Sequence, residues 1–91
     1  MNQTLIDKFG LRFGQQVSTS DGEEIDYVYK PGIHMSMFDR YGQPSDLVNI
    51  NVLKDGLDFT MSFQESVLMQ MPVTSLDEYL DHAIRRHKAG A

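Results

Sequence analysis

The alternation of apolar and polar residues on both sides of Asp55-Gly56 constrains this chain more than any other feature. Before this pair, alternate residues from Val48 to Val52 are aliphatic; after it, alternate residues from Leu57 to Phe63 are Leu, Phe or Met. A period of two is typical of a strand with one buried face. Asp-Gly tolerates the positive φ of a type I′ turn, so the stretch predicts a β-hairpin.

Three more strands are predicted upstream by the same reasoning. Asp21-Gly22 is a second hairpin signal, placed between a polar strand over Gln15–Ser20 and an alternating strand over Ile25–Tyr29. Pro31-Gly32 fits the centre of a type II turn, and Ile33–Phe38 alternates again. A loop is expected over residues 39–45, which include a glycine and a proline.

The odd-numbered apolar positions of the last strand resume after Glu65, at Val67, Met69 and Met71. This favours one long strand over residues 57–71 with a bulge or kink near Glu65, ended by Pro72, which cannot donate to a ladder. Two separate strands joined near residues 64–66 are the alternative.

A helix is expected at each end of the chain. Thr4 is a candidate N-cap for a short helix that Gly10 ends. Ser75 and Glu78 form a capping box that predicts the start of a longer C-terminal helix. The apolar stripe of this second helix consists of Leu76, Tyr79, Leu80, Ala83, Ile84 and His87.

These elements predict one α+β domain over residues 1–91. Hairpin connections favour an antiparallel sheet of about five strands. Both helices are amphipathic and need an apolar surface, so we expect the short N-terminal helix and the C-terminal helix to pack on the same face of the sheet.

Composition excludes several classes of protein. The chain has no cysteine, which rules out disulfides and thiolate metal sites. Its formal charge of −5 disfavours a protein that binds nucleic acid directly or adheres to anionic membranes. No apolar run approaches the roughly 20 residues of a membrane span, and Met1–Thr4 does not begin a secretory signal. We therefore expect a cytoplasmic location.

Catalytic and cofactor motifs are absent from the sequence. We find no nucleophile elbow, no phosphate-binding loop and no dinucleotide fingerprint, and we expect no enzyme, no cofactor and no metal ion. The remaining candidate for a small enzyme or ligand site would use Glu78 and His82, four apart on one helix face, with His34.

Methionine usage is the most informative functional signal. Five of the six methionines fall at odd-numbered positions of the predicted strands. Methionine adapts to irregular shapes, which suits a core and also a surface that accepts protein partners. Two short helices offer too few apolar side chains to cover such a face, so part of it is expected to bind another protein or a second copy. The residues concerned are Met35, Met37, Phe59, Met61, Phe63, Met69 and Met71.

Two functional hypotheses stay open at this point. The first is a non-enzymatic, chaperone-like or adaptor-like module, expected to be a homodimer, that masks an apolar or β-edge segment of a partner protein. The alternative is a small acidic inhibitor or immunity-type protein that blocks the basic groove of a nucleic-acid-processing enzyme. Its contact residues would be the acids of the first hairpin, Asp21, Glu23, Glu24 and Asp26.

Overall fold

A computed structural model describes residues 2–20, 22–39 and 47–90, with the backbone alone described at residues 19, 38 and 39. The predicted α+β class is confirmed: five antiparallel strands lie in one sheet in the order β1-β2-β3-β4-β5. The elements are α1 Gln3–Phe9, β1 Arg12–Thr19, β2 Gly22–Lys30, β3 Ile33–Asp39, β4 Leu47–Lys54, β5 Leu57–Gln64, α2 Glu65–Gln70 and α3 Val73–Ala89.

The predicted turns have the backbone conformations that their residues favour. Asp55 and Gly56 both have positive φ, 54° and 77°, as a type I′ turn between β4 and β5 requires. Gly32 has a φ of 79° between β2 and β3. Asp21 and most of the loop predicted over residues 39–45 lie outside the described residues.

A single apolar core lies on one face of the sheet. Every second residue of β3 and β4 points into it, and all three helices pack against the same cluster. The prediction that the terminal helices share one face is therefore confirmed. The buried apolar residues are Leu5, Phe9, Leu11, Ile33, Met35, Val48, Ile50, Val52, Leu68, Leu76, Leu80 and Ile84.

The prediction of a long strand over residues 57–71 is wrong. β5 ends at Gln64, and Glu65–Gln70 forms the helix α2, which buries Leu68. Lys8 of α1 donates to the carbonyl oxygens of Leu68 and Met69 at 2.9 and 2.8 Å. A cation at the carboxyl end of a helix satisfies free carbonyls and opposes the helix dipole, so α1 holds α2 in place.

The predicted N-caps of α1 and α3 are also wrong. Asn2 rather than Thr4 caps α1, since its side-chain oxygen accepts from the Thr4 amide at 2.7 Å. α3 begins at Val73, with Pro72 in the cap position, so Ser75 lies inside the first turn. Pro72 therefore precedes a helix rather than ending a strand, in keeping with the φ of proline near −60°.

Candidate functional site

The predicted methionine face is largely the core side of the sheet. Met35 is buried, and Met37, Met61, Phe59 and Phe63 are partly buried against the core. Met69 and Met71 do not lie on a strand, because Met69 belongs to α2 and Met71 follows it. The third helix thus provides cover that two helices could not, and Met35 has no surface to offer a partner.

The described acids of the first hairpin divide between the two faces of the sheet. Glu23 pairs in register with Ser18, whereas Glu24 and Asp26 lie on the face away from the helices. Ser36 Oγ donates to Glu24 Oε1 at 2.7 Å, and His34 Nδ1 lies 2.8 Å from Asp26 Oδ2. Ser18 Oγ also donates to Glu23 Oε1, at 3.4 Å, so the three described contact residues are already engaged within the sheet.

The face of the sheet away from the helices, called here the open face, carries a ladder of polar pairs. The ladder continues across β4 and β5, where Ser62 Oγ donates to Asn49 Oδ1 at 2.8 Å and Asn51 Nδ2 donates to Thr60 Oγ1 at 2.9 Å. A shallow concavity of about 390 Å³ lies over these strands. The polar groups largely satisfy one another, which stabilises the register more than it prepares a ligand site.

The outer edge of β1 is the first feature that sequence reasoning missed. β1 pairs with β2 on one side, and within the described ranges 2–20, 22–39 and 47–90 no strand pairs with its other side. Phe13 is 63% exposed on the helix side, and Val17 is 46% exposed on the open face. After Arg12 the strand has no charged residue. Its outer backbone groups, which pair with no strand of the described ranges, lie beside exposed apolar side chains.

A bulge shapes this edge. The pairing of β1 with β2 shifts between Phe13 and Gln15, at Gly14. A Cβ at Gly14 would lie 2.7 Å from Asp26 Oδ2, so any other residue there would force that carboxylate to shift. The Asp26 carboxylate consequently lies beside the backbone of the edge strand, where its Oδ2 is also 2.8 Å from His34 Nδ1.

The second feature that sequence reasoning missed is the way α3 lies along β5, the other outer strand. The rings of Phe63 and Tyr79 meet edge-on with centroids 5.5 Å apart, and those of Phe59 and His87 stack at 3.8 Å. The earlier strand residue, Phe59, contacts the later helix residue, His87, and Phe63 contacts the earlier Tyr79. α3 therefore runs antiparallel to β5. Four strand residues and eight helix residues both span about 12–13 Å, so the two aromatic contacts are equally spaced along β5 and along α3.

A groove of about 960 Å³ opens between β5 and the outer flank of α3. Met61 lies between the two aromatic contacts, and the small side chain of Ala83 leaves space above it. Tyr79 is more than half exposed. The residues that matter for its chemistry are Met61, Glu78, Tyr79, His82, Ala83 and Arg86.

The opposite flank of α3 is tied to β2. Tyr29 donates to Asp77 Oδ1 at 2.5 Å, and Lys30 Nζ lies 3.1 Å from the same oxygen. The Tyr29 bond, and secondarily Lys30, holds the pKa of Asp77 below its usual value. Burial, and then the contact with Asp77, raises the pKa of Tyr29. Asp77 and Arg86 are nine residues apart, which at about 100° per residue places them on opposite sides of the helix.

The candidate ligand set of His34, Glu78 and His82 does not come together. His34 lies on the open face, whereas Glu78 and His82 line the groove beside α3. Among the described residues, no group of three or more His, Cys, Asp or Glu side chains is arranged to hold a metal ion.

Comparison of the chain with protein-family models, with curated proteins and with solved structures gave no match. In the described part of the chain, none of the helices has the length and apolar character needed to cross a membrane.

Proposed function

We propose that this protein is a non-enzymatic protein-binding module that adds an extended segment of a partner protein to its sheet at β1. One observation carries the proposal: β1 is an eight-residue outer strand with an exposed phenylalanine, an exposed valine and no charge after Arg12. A cytoplasmic location, which the absence of cysteine fits, belongs to the same proposal.

The physical argument concerns how proteins protect sheet edges. An exposed edge pairs readily with another chain, so edge strands commonly carry lysine, proline or a covering loop. Residues Phe13–Ser20 contain neither lysine nor proline. Strand addition to such an edge gives affinity through backbone hydrogen bonds, and the neighbouring side chains give specificity.

The side chains around β1 indicate the chemistry of the partner. Phe13 and Val17 lie on opposite faces, so an alternating partner strand could place apolar side chains beside both. The net charge of −5 favours a basic partner. We therefore propose an extended segment in which apolar and basic residues alternate.

A ten-residue peptide of alternating valine and lysine is a suitable probe. We expect it to bind the wild-type protein in a fluorescence-anisotropy titration. Val17→Lys should weaken binding about tenfold, since it removes an apolar contact with the peptide and adds a positive charge beside the lysines of the peptide. The new lysine would lie directly across the sheet from Glu24, an opposite charge, so the pairing of β1 with β2 should be retained.

Leu53→Lys is the matched control. Leu53 is 50% exposed on the same open face but lies on β4, away from the edge. It should bind the peptide as the wild type does. Equal weakening by both substitutions, or no binding by the wild type, would contradict strand addition at β1.

The acidic-inhibitor alternative has less support. It needs carboxylates that are free to meet a basic groove, and Glu24 and Asp26 are bonded to Ser36 and His34. Exposed charge pairs are screened by salt, whereas backbone pairing is not. A peptide in which threonine replaces the lysines has no charge for salt to screen, so binding of this uncharged peptide at high salt supports the strand-addition proposal over the inhibitor.

A further inference from the structure

We propose that the groove beside β5 is occupied by a second copy of this chain, which forms a homodimer about a two-fold axis near Met61 and His82. The contact uses the edge of the sheet opposite β1. The homodimer therefore goes beyond the proposed function, and its test is independent of peptide binding at β1. Pairing of the two β5 strands would join the two sheets into one and leave both β1 edges open at its ends.

The matched spacing of β5 and α3 supports this arrangement. The aromatic contacts join Phe63 to Tyr79 and Phe59 to His87. Their midpoints are Met61 on the strand and Ala83 on the helix. An axis that pairs the strands antiparallel about Met61 therefore passes beside residues 82–83 of α3. The same rotation places the two α3 helices side by side and antiparallel on one face of the joined sheet.

Charge complementarity identifies the occupant as a second copy. In antiparallel helices related about His82, Glu78 of one copy faces Arg86 of the other, and the reverse contact forms by symmetry. The groove carries one Glu and one Arg, so its formal charge is zero, whereas the whole chain carries −5. This flank is thus a surface on which two acidic copies can meet without repulsion.

The apolar lining fits the same contact. Met61, Tyr79 and Ala83 lie near the proposed axis, and each would meet its own symmetry mate or a close neighbour. The small alanine permits close approach of the helices, and the exposed tyrosine supplies apolar area with a polar end. A self-complementary patch of this kind is what a two-fold interface requires.

Sedimentation equilibrium of the full chain tests the proposal directly. At micromolar concentrations the wild type should sediment with twice the 10.4 kDa mass of one chain. Arg86→Glu and Glu78→Arg should each weaken dimerisation about tenfold, because two attractive contacts become repulsive. The double variant Glu78→Arg/Arg86→Glu should restore it, since the exchange recreates both pairs.

Arg85→Glu is the matched control, because Arg85 is exposed on α3 but does not line the groove. It should dimerise as the wild type does. A monomeric wild type would overturn the proposal, and so would a double variant that remains as weak as the single ones. Circular dichroism of each variant shows that α3 is still folded.

A cysteine variant gives a second, independent readout. The chain has no cysteine, so one introduced thiol can form a disulfide only between molecules. His82→Cys should crosslink readily under mild oxidation, because its side chain would lie near the axis, whereas Arg85→Cys should not. Equal crosslinking at both positions would overturn the proposed axis.

Discussion

Replacement of Leu68 by alanine tests whether Glu65–Gln70 forms a helix rather than the continuation of β5. Leu68 is 0% exposed in the core, whereas Val67 beside it is 43% exposed. A fully buried leucine shortened to alanine loses about 3 kcal/mol through lost burial and the cavity left behind. A domain of this size has a total stability of about 5–14 kcal/mol, so the loss would be a large fraction of it.

Urea unfolding followed by circular dichroism measures the difference. With a slope of about 1–1.5 kcal/mol per molar, Leu68→Ala should lower the midpoint by about 2–3 M. Val67→Ala should change it little, because the lost contacts are few and alanine favours a helix. A continued strand would instead turn Val67 toward the core and Leu68 away. A larger loss from Val67→Ala would therefore refute the helical assignment.

Three further predictions concern contacts that hold the fold. Gly32→Ala should destabilise the protein by at least about 1 kcal/mol more than Gly56→Ala in the same urea assay: both have positive φ, but only a Cβ at Gly32 meets backbone, at 2.6 Å from the Leu53 oxygen. Lys8→Met should cost about 1 kcal/mol through lost bonds to α2, whereas Lys88→Met, at an exposed pair with Asp55, should cost almost nothing; equal effects would contradict the capping role. The pKa of Asp77 is lowered in the folded state, so the ionised carboxylate stabilises the fold above about pH 4, and this stabilisation is lost as the pH falls through the folded pKa. The midpoint of thermal unfolding of Asp77→Asn should therefore depend less on pH below 4 than that of the wild type.

Local chemistry made the strands and turns predictable from the sequence. Asp55-Gly56 and Gly32 adopt the positive φ values that their turns need, and the period-two patterns beside them are strands. The polar placement of His34 also followed from alternation, since it lies on the open face beside Asp26. These features depend on a few neighbouring residues and little else.

The helix α2 was not predictable in the same way. Its six residues are too few to form a stable helix alone, and its odd-numbered apolar residues imitate a strand. Burial of Leu68 and the contacts from Lys8, sixty residues away in the chain, decide its conformation. Such long-range contacts leave no local pattern in the sequence.

The candidate binding surfaces depend on strand order, which is a property of the whole fold. A series of hairpins puts the first and last strands at the edges, so this signal was present in the predicted order of elements. Alternation identifies the face on which Met61 lies but not that of Phe13, because the bulge at Gly14 shifts the register. It also does not show how much of either face the helices cover. The methionines predicted to bind a partner therefore lie mainly in or against the core.

Hydrogen–deuterium exchange tests most directly whether the protein works through the two edges of its sheet. Concentrating the wild-type protein should slow exchange in β5 and α3 alone, and adding the valine–lysine peptide should slow it in β1 alone. Slower exchange centred on α1, α2 and β3 in either experiment would contradict this account, because the helix-covered methionine face would then be the binding surface.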